Sequence, residues 1–172
     1  EIPNKYGQYL FDILNAFDFK QYFWKTGREE AYYIENDKLG TSLFPQPHVY
    51  TGEALYKRIS ENDYYVIFAD LKAFNDPLHV KEITTYEEFL NSRCEFVLLL
   101  VDCTYVTIYA KNPEVITALY AKAIDSAYEN VAYITDETTT SSVTSIISTN
   151  GNSWTSSGTS TTNRNETSTY TS

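Results

Sequence analysis

The chain has 172 residues, 16 of them tyrosine, and a formal net charge of −10 at pH 7. That balance argues against sequence-independent binding of DNA or RNA, because no basic stripe is present to displace counterions from phosphates, and it is repelled by anionic membrane surfaces. The length suits one domain with a sizeable core, and electrostatics favours a basic protein as partner.

Charge is unevenly spread. Of the 23 acidic residues 22 precede Thr138, as do 12 of the 13 basic ones, whereas 22 of the 35 residues from Thr138 onward are Ser or Thr. The sequence therefore divides into an α/β domain over 1–137 and a Ser/Thr-rich extension over 138–172.

In chain order, Asn4 precedes "KYGQYLFDILNAF", where Tyr6, Leu10, Ile13, Leu14 and Phe17 form one stripe and predict a helix over 5–17. "QYFWKT" and "AYYIEN" read as strands, and "GEALYKRIS" as a short helix with Leu55 and Ile59 inward. "DYYVIFADL" and "EFVLLLV" are apolar on both parities, as strands covered on both faces should be. Between them, Thr85 and Glu88 have the spacing of a capping box and announce another short helix. "TYVTIYA" alternates, with Val106, Ile108 and Ala110 on one side. Asn112 and Pro113 then open a long amphipathic helix near 113–127, followed by the strand "NVAYIT". The expected class is α/β (α+β): a mixed central sheet including 64–71, 96–101, 105–110 and 131–135, packed by two long and two short helices.

The extension carries its own signals. "SVTSIIST" is rich in β-branched residues, and Asn150-Gly151 favours a type I′ turn, so Ser142 to Ser156 is expected to be β structure, most simply a hairpin. A lone hairpin is marginal in water, and this one needs the domain's own sheet edge or a neighbouring chain to lie on. The second case would make the protein a homo-oligomer or a self-assembling subunit.

Cys94 and Cys103 flank one apolar strand and stand too far apart to pair, about 30 Å if the run is extended, which suggests a reduced, cytoplasmic domain. The Ser/Thr tail leaves a secreted or surface location open. The longest apolar run, Phe96 to Val101, has strand length; no signal-peptide pattern is visible, and the abrupt start at "EIPN" without Met leaves room for an upstream strand or a leader.

Chemistry is sparse. His48 and His79 sit in separate loops with no metal-ligand spacing, and phosphate-binding glycine loops and nucleophile elbows are absent from the sequence. No cofactor, metal or catalytic residue is expected, and enzyme activity is less favoured than binding. Asp70 and Lys72 share one parity inside an apolar strand and, with Cys103, form the one candidate pocket; the plainer reading has the pair solvated where the strand leaves the core. Asp102 beside Cys103 works against a thiolate. Glu29-Glu30, Glu87-Glu88 and Asp136-Glu137 read as solvated charges. Most tyrosines should be core residues with a hydroxyl at the surface, and Tyr64, Tyr65, Tyr105 and Tyr109 are the candidates for a recognition face.

Taken together, "EIPNKYGQYLFDIL", "GTSLFP", "YYVIFADLKAF", "TYEEFLNSRCE" and "NVAYITDE" resemble a domain-of-unknown-function family of small proteins from spore-forming Gram-positive bacteria, over about residues 1 to 137. The resemblance brings no activity or catalytic residue. It implies that a few residues of a first strand precede "EIPN", and the tail departs from it. Three functions follow as expectations: a non-enzymatic immunity-type or regulatory binding module using acidic, tyrosine-rich surface; a small-molecule enzyme or carrier at Asp70 and Lys72; or an assembly subunit using the tail.

Overall fold

A computed structural model describes residues 1–136 together with 143–148, the latter and residues 135–136 as backbone only. The first helix, α1 (Tyr9–Leu14), leads through a 3-10 turn at Phe19–Gln21 into β1 (Phe23–Lys25), β2 (Glu30–Glu35), β3 (Lys38–Ser42) and β4 (Val49–Thr51). Next come α2 (Gly52–Ser60), the long β5 (Tyr64–Phe74), α3 (Tyr86–Leu90), β6 (Cys94–Val101) and β7 (Tyr105–Ala110). The chain continues with α4 (Pro113–Asp125), β8 (Val131–Asp136) and β9 (Val143–Ser148).

The strands form one sheet in the order β3-β2-β5-β6-β7-β9-β8, with β1 also on β5 and β4 on β1. This is an α+β fold, as the sequence implies. Every pairing among the described residues is antiparallel, so the expected mixed sheet is corrected. The reason lies in β9: β7 and β8 run the same way, as a strand-helix-strand reading requires, but β9 lies between them and pairs antiparallel with both.

Local chemistry accounts for most boundaries. The Asn112 side chain accepts the Glu114 N–H at 2.9 Å, with Pro113 at the first helical position. Thr85 and Glu88 close a full capping box on α3. Asn36 and Asp37, both at positive φ, join the paired residues Glu35 and Lys38 as a two-residue hairpin turn, which short polar side chains tolerate. Helix α1 is shorter than its apolar stripe suggests, because Gly7 pairs with Tyr64 as a β-bridge and holds the chain extended there. The expectation of two long helices is thereby corrected to one, α4.

The two faces of the sheet differ. On the first, Leu10 and Leu14 of α1, Leu55 and Ile59 of α2, and Ile116 and Leu119 of α4 join Trp24, Leu71, Phe96, Leu98 and Ile108 in one buried cluster. The Trp24 Nε1–H donates to the Phe19 carbonyl at 2.9 Å, so the indole is buried with its polar atom satisfied. At the N-terminus of α2 a Cβ on Gly52 would lie 2.0 Å from the Lys20 carbonyl oxygen, so the contact between α2 and the 3-10 turn requires glycine. Among the described residues the second face is covered only at one end. There Ile83 and Phe89, from α3 and the segment before it, pack on Phe74, Cys94, Val97 and Tyr109.

Of the extension, β9 is described and belongs to the chain's own sheet. It pairs with β7 along one edge and with β8 along the other. The turn expected at Asn150-Gly151 lies outside the described residues.

Candidate functional site

Two features lie on the second face: a buried charged notch and an aromatic strip. The notch arises from a broken strand. Both β1 and β2 pair with the same side of β5, with Lys25 opposite Lys72 and Glu30 opposite Phe68. Between these pairs, residues 26–29 stand against residues 69–71, so the chain carries one residue too many and must bulge. Thr26 holds one end of the break: its N–H and Oγ1 reach the His48 carbonyl at 2.9 and 3.2 Å. At the other end Glu29 folds back, and its Oε1 accepts the Gly27 N–H.

This break puts five charges together. Lys72 Nζ lies 2.5 Å from Asp70 Oδ2 and 3.7 Å from Glu82 Oε1, and Lys25 Nζ lies 2.5 Å from Glu82 Oε2. Lys72 is 3% exposed and Glu29 8%, which corrects the expectation that both are solvated. Burial pushes the carboxyls of Glu29 and Asp70 above the usual range, opposed at Asp70 by the Lys72 ammonium. Glu82, more exposed, is held below that range by the Lys25 hydrogen bond. Glu29 Oε2 and Asp70 Oδ1 are buried without a hydrogen-bond partner among the described residues.

Cys103 is elsewhere. It sits at positive φ in the β6–β7 turn, and its N–H donates to the Ile67 carbonyl at 3.1 Å. That point is five residues from Lys72 along β5, or about 16 Å. The structure thus joins Asp70 to Lys72 and adds Glu29, Lys25 and Glu82, while Cys103 neighbours Tyr65, whose hydroxyl it pushes up through a hydrogen bond. Cys94 is buried, its thiol pushed up to about 12, and unreactive for that reason. No group of three or more His, Cys, Asp or Glu among the described residues is arranged to hold a metal.

The aromatic strip is the uncovered part of the second face. Tyr6 meets Tyr65 edge-on at 5.8 Å, and both border an open concavity of about 470 Å³ with Asn4, Lys5 and Leu39. Tyr32 lies directly across the ladder from Tyr65, and Tyr105 is half-buried near the far end of the same side. Of the four tyrosines singled out from sequence, Tyr65 and Tyr105 present surface. Tyr64 is buried under α1, where its hydroxyl accepts the Phe11 N–H, and Tyr109 is buried beneath Phe89 and Tyr86. Tyr6, expected in the inward stripe of the first helix, instead lies before α1 and is 46% exposed in the strip, and Leu39, 48% exposed, joins it without a sequence signal, because the register that places β3 and the N-terminal segment beside Tyr65 is not local.

A second crevice of about 40 Å³ lies under α4, lined by Ile2, Ile13, Ile108, Leu119 and Tyr128 among others. Neither concavity borders Lys72. No described helix is long and apolar enough to cross a membrane.

An antiparallel α+β sheet with helices packed on one face and, among the described residues, a partly open second face is a small domain built around a single sheet, and its sequence places it in a family. Residues 1–145 match the family described as "Protein of unknown function (DUF2691)", and the chain belongs to it. A relative in Bacillus subtilis (strain 168), "Uncharacterized protein YncE", is 39% identical over 140 residues, covering 81% of this chain and 92% of the relative. No solved structure matches the chain.

Proposed function

We propose that the protein is a non-enzymatic binding module that receives a basic protein partner on the uncovered part of its second sheet face. The observation that carries this reading is the open concavity flanked by exposed Tyr6 and Leu39 and by Tyr65, on a chain of net charge −10. Rigid amphipathic rings supply contact area at low entropic cost, and net negative charge draws a basic partner in. The alternative, a ligand or substrate site at Asp70 and Lys72, has the buried charges it needs, but neither the open concavity nor the crevice under α4 borders Lys72. Assembly through the tail is less favoured, since β9 already has neighbours on both sides.

A photoreactive phenylalanine analogue at Tyr65 tests the reading in the full chain. Irradiation in a lysate of the source cell should capture a basic protein, with yield falling as salt rises and falling again in Tyr6→Ser and Leu39→Ser variants. Capture that is indifferent to both salt and these substitutions would refute it.

A further inference from the structure

The covering segment between β5 and β6 is tied to the sheet by apolar anchors, Ile83 and Phe89, and by one charged residue, Glu82, which reaches both Lys25 and Lys72. Those two lysines are not free to serve Glu82 alone. Lys72 lies closer to Asp70 than to Glu82, and Glu29 lies in the same buried field. Three carboxylates against two ammonium groups leave the notch one negative charge in excess when all are ionised. The two orphaned oxygens, Glu29 Oε2 and Asp70 Oδ1, mark where that excess is least compensated.

We propose that Glu82 is a latch holding residues 75–85 on the sheet, and that a proton held by the buried Glu29 and Asp70 carboxyls sets its strength. With the proton in place, Lys72 loses its nearer competitor and turns to Glu82, so the segment is held tightly. When the proton leaves, Asp70 and Glu29 draw both lysines inward and Glu82 is released. Cys94 from β6 also feels Lys72 and Lys111, and its buried thiol stays neutral throughout this range. Release would extend the open part of the second face toward Val97 and Tyr109, which the segment now covers. The latch does not depend on the partner proposed above.

The signs follow from burial and pairing. Glu29 and Asp70 titrate above the usual carboxylate range, so their neutral forms favour the closed segment, and this contribution is lost as pH rises through that raised range. Glu82 titrates below its ordinary value, so its contribution is present above that value and lost as pH falls through the lowered one. Closure should therefore be tightest between the two.

Hydrogen exchange of the full chain, corrected for the intrinsic pH dependence of exchange, tests this. Protection of peptides covering 77–90 should pass through a maximum in weak acid and fall about tenfold for each unit by which the raised carboxyls exceed their ordinary values. Peptides from α4 should not follow. Glu29→Gln should reduce the fall on the basic side, Glu29→Gln with Asp70→Asn should abolish it, both should keep the one on the acid side, and Glu82→Gln should leave protection low and flat. A wild-type profile without a maximum, an unaltered basic-side fall in Glu29→Gln, or α4 changing in step with 77–90 would overturn the proposal. Should Glu82→Gln fail to fold, carboxyl NMR titration of wild type decides: Glu29 and Asp70 both titrating at ordinary values also overturns it.

Discussion

The two faces of this sheet are built from the same strands and solve different problems. The first buries Trp24, Phe96 and the apolar stripes of α1, α2 and α4, and its polar atoms are satisfied locally, as in the indole bond to Phe19. The second buries a smaller apolar cluster at one end, a charged notch in the middle and leaves half-exposed aromatics at the other end. The larger apolar core thus lies on one side, and the buried charges and half-exposed aromatics lie on the other. The division teaches that a strand apolar on both parities, such as β6, need not have equally committed faces: Leu98 and Leu100 are fully buried, and Leu99 between them is not.

The comparison is broken most directly by cutting one anchoring ring on each side. Trp24→Ala removes the centre of the helix-covered face, where the indole meets Phe19, Tyr22 and Phe96, and should cost about 5 kcal/mol. Phe89→Ala removes the anchor of a five-residue helix from a smaller cluster that can partly collapse, and should cost about 3 kcal/mol. Urea unfolding of both variants measures this. Equal losses would mean that the two faces share the load.

Next in size is Lys72→Met, which keeps the apolar stem and deletes the buried ammonium. Asp70 and Glu29 then lose their nearest cation, and breaking such a pair from one side costs about 3 kcal/mol when both carboxyls are ionised. The sign with pH is fixed: burial raises both groups in the folded state and Lys72 opposes that rise, so the variant should lose more stability as pH rises and recover toward wild type as pH falls. Thermal melts from weak acid to neutral show which way the loss runs. A loss that grows on acidification would place the stabilising charge elsewhere.

How much of this was legible in the sequence divides along the same line. The first face follows from local rules: alternation in β7 names Val106, Ile108 and Ala110, helical spacing names Ile116 and Leu119, and the Asn112-Pro113 and Thr85-Glu88 signals fix two helix starts. The second face depends on register between distant strands, which periodicity does not contain. Asp70 and Lys72 were visible as a same-side pair, but their burial, and that of Glu29, comes from the bulge opposite residues 69–71. Likewise β9 showed its β-branched character, while its insertion between β7 and β8 is a long-range choice made by the edge that β7 offers.

The smallest effect on stability belongs to the strip, and its smallness is the point. Tyr6 is 46% exposed, its ring touching Tyr65 edge-on over an open concavity, so Tyr6→Ser creates no internal cavity. It should shift stability by no more than about 0.5 kcal/mol, as surface substitutions away from special features do. An edge-on aromatic pair contributes about 0.5–1.5 kcal/mol beyond burial, which sets the most that the change could cost if the pair were rigid. If the variant unfolds at the wild-type urea midpoint while capture of a partner through Tyr65 is lost, the strip is there for recognition and not for the fold. If instead the midpoint falls as far as it does for Phe89→Ala, Tyr6 belongs to the core of the second face, and the contrast between a closed and an open side of the sheet does not hold at that end.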